Sequence, residues 1–360
     1  MSTATDSLEA WMHSWLPRES LRDPASAVAE LARRWSERHR YWHGIGHLRW
    51  LVDAIKAESP SAARSALLLT ALYHDAIYDP TSGSNEEESA QLWLSHAAQP
   101  ESQSARQIAE TIRATAWKTP PESELTRRFF ALDTYPLDNT CPLSERVRYE
   151  QAIFREYQWL PFATYREKRA EFLKRWARTF PDHSAGTTQC LDLLGSLTPR
   201  IALYPGSFNP FHLGHLSILR QAEKAFDKII LAVGINRQKP GAGEAMAERL
   251  ARLQSQLRFH QVTGFGGLLS DYIGELDHPV TVVRGVRDGT DLEAELRFAR
   301  FLNDLRPDTQ IVWIAAELQH VSSSGIRELE SFKPGAGARY IPTLERIYHT
   351  VPPSTSEESI

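Results

Sequence analysis

The sequence predicts two domains, an all-helical one followed by an α/β one built on a parallel sheet. Three observations carry this reading. A chain of 360 residues, 42% of them hydrophobic, can bury two ordinary cores of roughly 100–200 residues each. From residue 25 to about 197 the apolar residues recur at helical spacing and few β-branched runs intervene. After Thr198-Pro199-Arg200 the texture changes to short apolar runs separated by helical stretches, which is the pattern of an α/β fold.

Within the first half, Ala62-Ala63 through Leu67-Leu68-Leu69 to Leu72 forms one apolar helical face. The polar break DPTSGS at 79–84 is followed by NEEE at 85–88, a helix start, and KTPP at 118–121 breaks the chain again. In the second half, strands are placed at 201–204, 228–233, 280–283 and 311–315. The boundary falls between residues 183 and 199. This gives a first domain over 1–195, a second over 200–350, and a polar, acidic tail over 351–360 that is expected to be disordered.

A formal charge of −4 offers no general attraction to nucleic acid or to an anionic membrane, so any phosphate binding must be local and the partners small molecules. Cys141 and Cys190 are the only cysteines and form no CxxC or zinc-ligand spacing, which fits a reducing compartment. No stretch approaches the ~20 apolar residues that span a bilayer, and the expectation is a cytoplasmic protein.

The densest chemistry lies at 201–215, IALYPGSFNPFHLGH, which runs from a strand through a Gly/Pro turn into a helix placed at 216–226. Backbone N–H groups at such a helix start face an incoming phosphate. His212 and His215 are three apart and are expected on one helix face, and Gly214 lets a ligand approach closely. Further on come Lys239 in NRQKP, the run RGVRDGTDLEAE at 284–295, and HVSSSGIR at 320–327.

The HxGH after a PGSF turn resembles the signature of cytidylyltransferase-like nucleotidyltransferases. With the other three motifs in the same order over about 150 residues, the second half resembles phosphopantetheine adenylyltransferases, a Rossmann-like fold. The resemblance implies that the phosphate of 4′-phosphopantetheine attacks the α-phosphorus of ATP, giving dephospho-CoA and pyrophosphate. It makes His215, Lys239, Arg284 and Ser207 the catalytic set. Gly206, His212, His215, Arg287, Glu295, Ser322, Ser323 and Ser324 then line the ATP site, and Ser207, Lys239, Leu268, Leu269 and Arg284 the acceptor site. Magnesium would accompany ATP, and a homo-oligomer is implied. Guanidinium groups suit phosphates because they stay charged and bind in a forked manner. Arg284 and Arg287 could instead be paired with Asp288, Asp291 and Glu293, and the serines could simply cap a helix.

The sequence departs from that family in places. Ser207 stands for threonine, Leu302 for an asparagine that contacts the pantetheine arm, and the loop 241–247 is Gly/Ala-rich. Another phosphorylated acceptor, such as nicotinate or nicotinamide mononucleotide, is the alternative.

In the first half, HGIGH at 43–47, YHDAIYD at 73–79 and Leu132-Asp133 resemble the HD phosphohydrolase superfamily. The resemblance implies one divalent transition metal on His47, His74, Asp75 and Asp133, activating water against a phosphoester. Relatives place histidines where this chain has TAWKT at 115–119, and a second aspartate where Tyr135 stands. A two-metal site is therefore not expected, and a non-catalytic, metal-dependent ligand sensor is the alternative.

Overall fold

The structure is a computed structural model that describes residues 4–57, 59–234 and 246–349. Its contacts divide the chain into two interleaved units. The first comprises Met1–Glu156, Glu167–Ser196 and the chain from Tyr348 onward, and the second Tyr157–Arg166 with Leu197–Ile347. Lys239, most of the loop 241–247 and the tail 351–360 lie outside the described residues.

The first unit is helical, and its axis is the helix Ala62–Tyr73, in which every residue from Leu67 to Tyr73 is buried. Burying each such leucine contributes roughly 1.5–3 kcal/mol. Around it pack the helices Ile45–Lys56, Asn85–His96, Gln103–Ala114 and Glu124–Asp133. Ser61, Ser102 and Ser123 cap three of these by accepting the N–H of the residue three positions on, which satisfies donors that a helix start leaves free. The packing brings the first turn of Ile45–Lys56, with His47, against the C-terminal ends of Ala62–Tyr73 and Glu124–Asp133.

The second unit holds five parallel strands, β1 (Ile201–Gly206), β2 (Lys228–Gly234), β3 (Gln261–Phe265), β4 (Thr281–Val286) and β5 (Gln310–Ala315), in the order β3-β2-β1-β4-β5. The sequence signals four of them. β3 escapes because QVTGF is half-buried throughout and lies at a sheet edge, where no apolar run is needed.

The order reverses between β1 and β4, the place where open α/β sheets bind ligands beyond the strand C-termini. There the ladder is short: Ala202 and Leu203 pair with Thr281 and Val282, while β4 and β5 stay paired through Val286 and Ala315. Pro205 has no N–H to continue the ladder, and its carbonyl accepts instead from the Arg284 guanidinium at 3.1 Å.

Lys228, fully buried at the start of β2, explains why Tyr157–Arg166 groups with this unit. Its ammonium donates to the carbonyls of Gln158 and Leu160, while the Ile229 N–H donates to Gln158 Oε1 at 3.3 Å. Phe162 packs on the core of Leu203, Ile230, Val282 and Leu302.

Candidate active sites

In the α/β unit the helix after β1 is Leu213–Ala225, three residues earlier than the sequence suggests. His212 is therefore not on a helix face but is the extended N-cap. Its Nδ1 accepts the N–H groups of Gly214 (3.1 Å) and His215 (3.3 Å), while His215 Nδ1 accepts the N–H of His212 at 3.3 Å. This reciprocal capping stacks the two rings with centroids 3.7 Å apart. A neutral imidazole that accepts at Nδ1 carries its proton on Nε2, so both rings keep an Nε2–H donor. Burial, reinforced by Arg287, pushes His212 down to about 4. His215 is held well below the ordinary histidine value by burial, then by His212 and Arg287.

The serine motif docks on the same turn. Ser322 caps the helix Ser323–Phe332 by accepting from Gly325 N at 3.1 Å, Ser324 Oγ lies 3.3 Å from Ser322 Oγ, and Ser323 donates to the Pro210 carbonyl at 3.1 Å. Arg327, which sequence reasoning passed over, donates to the Asn209 carbonyl. Gly214 leaves room for the His212 ring, from which a Cβ there would lie only 3.0 Å. Gly206 and Ser207, both half-buried, lead into this turn from β1.

The two arginines enter with partners. Arg284 forks onto Glu295 at 2.7 and 2.6 Å, and its guanidinium lies over the Phe298 ring at 4.9 Å. Arg287 forks onto Asp291 at 2.6 and 2.8 Å. Asp288 is a helix cap, its carboxylate accepting from Asp291 N at 2.9 Å. Both arginines thus stand at the C-terminal end of β4, each held by a forked carboxylate. Of the leucine pair, Leu268 is exposed whereas Leu269 lies in the core beside Leu302. At that position Leu302 packs apolar surface and offers no polar contact.

The helical unit assembles a second cluster. His47, His74 and Asp75 present ligand-type atoms all within 4.8 Å of one another. Asp133 Oδ1 lies 3.2 Å from His47 Nε2 and 3.4 Å from His74 Nε2. His74 is oriented by its own helix, Nδ1 lying 2.9 Å from the Ala71 carbonyl. Its buried Nε2 is 2.9 Å from Asp75 Oδ2 yet makes no aligned hydrogen bond. Burial works against a charge on His74, but Asp75 and Asp133 outweigh it and raise the group to about 10.

Sequence reasoning missed two supports around this cluster, Trp117 and Glu156. The Trp117 indole donates to Asp133 Oδ2 at 2.7 Å, from a backbone at φ +42° that non-glycine residues rarely adopt. Glu156, buried at the end of the helix Leu143–Glu156, accepts from His43 Nδ1 and from the Tyr78 hydroxyl, each at 2.6 Å. Tyr135 is no ligand and stacks on Trp50 with centroids 5.3 Å apart. Trp117 falls within the quoted stretch 115–119, whereas nothing near Glu156 in the sequence marks it.

Residues 203–329 match the family model described as Cytidylyltransferase-like. A phosphopantetheine adenylyltransferase of Clostridium botulinum (strain Eklund 17B / Type B) is 33% identical over 137 residues, 37% of this chain and 86% of the relative. That of Clostridium botulinum (strain Hall) is 34% identical over 137 residues, covering 37% and 83% of the two chains. The Clostridium tetani enzyme of the same name is 32% identical over 136 residues, covering 37% and 84%. The match runs through β1, the His212–His215 cap, the Arg284 strand end and the serine motif, and through its α/β unit the chain belongs to the phosphopantetheine adenylyltransferase family of nucleotidyltransferases.

Proposed function

We propose that the α/β unit transfers an adenylyl group from ATP to 4′-phosphopantetheine, releasing pyrophosphate and forming dephospho-CoA. The observation that carries this reading is the reciprocal cap, which fixes His212 and His215 as neutral Nε2–H donors beside the β1/β4 crevice. An acceptor phosphate oxygen forms the new bond to the α-phosphorus as the bond to pyrophosphate breaks, and no protein nucleophile is required. His215 donates to the α-phosphoryl oxygens as charge builds there. Ser207 positions the acceptor phosphate, Lys239 holds acceptor and α-phosphates, and Arg284 and Arg287 balance charge. Gly206, His212, Glu295 and the serines 322–324 line the nucleotide side, and Leu268 the acceptor side, whereas Leu269 is taken up by the core. Magnesium bound with ATP supplies further neutralisation of phosphate charge.

Leu302, in the core, favours keeping a second acceptor class in view, since a family contact is absent there. A pyrophosphate-release assay with ATP and phosphopantetheine, nicotinate mononucleotide or nicotinamide mononucleotide decides. Turnover with a mononucleotide alone would reject the first acceptor.

We propose that the helical unit is a metal-dependent phosphohydrolase of HD type, with one divalent transition metal on His47, His74, Asp75 and Asp133. The mixed imidazole and carboxylate set and the unaligned, buried Nε2 of His74 support that fit. A bound cation supplies Lewis acidity toward a phosphoester. Ala71 orients His74 and Trp117 orients Asp133. Trp117 in place of histidines also favours a ligand-sensing version of the site. Metal analysis with phosphatase screening separates the two: a chain that holds metal but hydrolyses no phosphoester is the sensor.

Among the described residues no helix is long and apolar enough to cross a membrane. We further propose a cytoplasmic homo-oligomer acting on small molecules rather than nucleic acid. Exposed Phe301, Leu305 and Trp313, on the helix Gly289–Leu305 and the edge strand β5, support self-association. Light scattering on the intact chain tests it.

A further inference from the structure

We propose that His43 contacts the phosphoryl group of the ligand in the helical unit, with Glu156 and Tyr78 as its positioning residues. The proposal rests on the phosphoester reading of the His47/His74/Asp75/Asp133 cluster and adds a residue that the metal set does not use.

Glu156 is buried and every lone-pair direction of its carboxylate is engaged. Oε1 accepts the consecutive backbone N–H groups of Tyr41 (2.8 Å), Trp42 (2.7 Å) and His43 (2.8 Å). Oε2 accepts His43 Nδ1–H and the Tyr78 hydroxyl, both at 2.6 Å. A buried carboxylate is costly unless its lone pairs are matched, and here all the matching converges on one imidazole. The ring is also stacked on Tyr78 with centroids 4.6 Å apart.

With Nδ1 committed to Glu156, Nε2 is the polar edge left over, and among the described residues no hydrogen bond engages it. The side chain is 25% exposed, unlike His47 at 2% and His74 at 1%. It stands four residues before His47, outside the helix Ile45–Lys56, with ring centroids 6.3 Å apart. A network serving only to pin the 41–43 backbone would need the three N–H contacts and no imidazole with an open edge. The cluster itself contributes two carboxylates, which repel a phosphate, so a donor beside it is the missing complement.

The test uses the full chain loaded with manganese, with inorganic phosphate as the probe, both followed by calorimetry. His43→Asn is the informative variant, because its amide nitrogen can take the place of Nδ1 against Glu156 while the Nε2 edge is lost. Manganese affinity should stay within about twofold, and phosphate affinity should fall about tenfold or more. Glu156→Gln and the milder Tyr78→Phe should weaken phosphate in the same direction with manganese retained. Unchanged phosphate affinity in a folded His43→Asn chain overturns the proposal, as does a manganese loss equal to that of His74→Ala, which would make His43 a ligand. A wild-type chain that takes up no manganese overturns the phosphoester reading itself, a different result.

Discussion

The rings of His212 and His215 stack with centroids 3.7 Å apart while each Nδ1 accepts the backbone N–H of the other residue. Histidine at this N-cap does what serine or aspartate usually does, and it keeps the ring neutral to do it. His212, at about 4, should show no titration in a carbon-13 spectrum between pH 8 and 5.5. A midpoint near 6.5 would contradict the cap. Because the unfolded ring takes up a proton first, stability is fully present above pH 6.5 and is lost as pH falls toward 4. The loss is about 2 kcal/mol by pH 5, which His212→Asn should remove from a comparison of unfolding curves.

Arg284 bridges Pro205 on β1 to Glu295 at the switch point. Arg284→Lys keeps the charge but loses the fork. We expect kcat/KM for ATP to fall about 100-fold with the melting temperature little changed. A loss confined to stability would make the arginine a strut.

Trp117 holds Asp133 through its indole N–H. Trp117→Phe retains the ring and removes the donor, and should weaken manganese or zinc binding about tenfold, measured by calorimetry, with the circular dichroism spectrum unchanged. Equal affinity in both chains would show that Asp133 needs no such support.

Gly186 sits where a Cβ would fall 2.3 Å from the Leu137 carbonyl and 2.4 Å from an Arg146 nitrogen. Gly186→Ala must push apart the helix Ser184–Ser196 and the turn Tyr135–Leu137. A destabilisation of about 2–4 kcal/mol in denaturant unfolding is expected.

Much of the α/β unit was legible because phosphate-binding turns are local: strand, glycine turn and helix start are contiguous. What was not legible is pairing. Nothing in the run 284–295 says that Arg284 meets Glu295 while Arg287 meets Asp291, since both choices use the same helix face. Periodicity located the helix after β1 but not its start, because a histidine cap carries no compositional mark. In the helical unit His47, His74, Asp75 and Asp133 were readable as a spaced motif. Trp117 reaches Asp133 from 16 residues away and Glu156 reaches His43 from 113, through tertiary packing that sequence spacing cannot encode.

The buried ammonium of Lys228 governs where the gene may be cut. A fragment beginning at Leu197 would carry the whole sheet yet leave the Lys228 amine without the Gln158 and Leu160 carbonyls that accept its hydrogen bonds. One beginning at Tyr157 would keep them but carry with it the helix Phe162–Thr179, most of which belongs to the other unit. The shorter piece should be recovered insoluble and the longer one folded. Shuffling this transferase onto another partner therefore requires moving a forty-residue preamble that homology to free-standing relatives does not reveal.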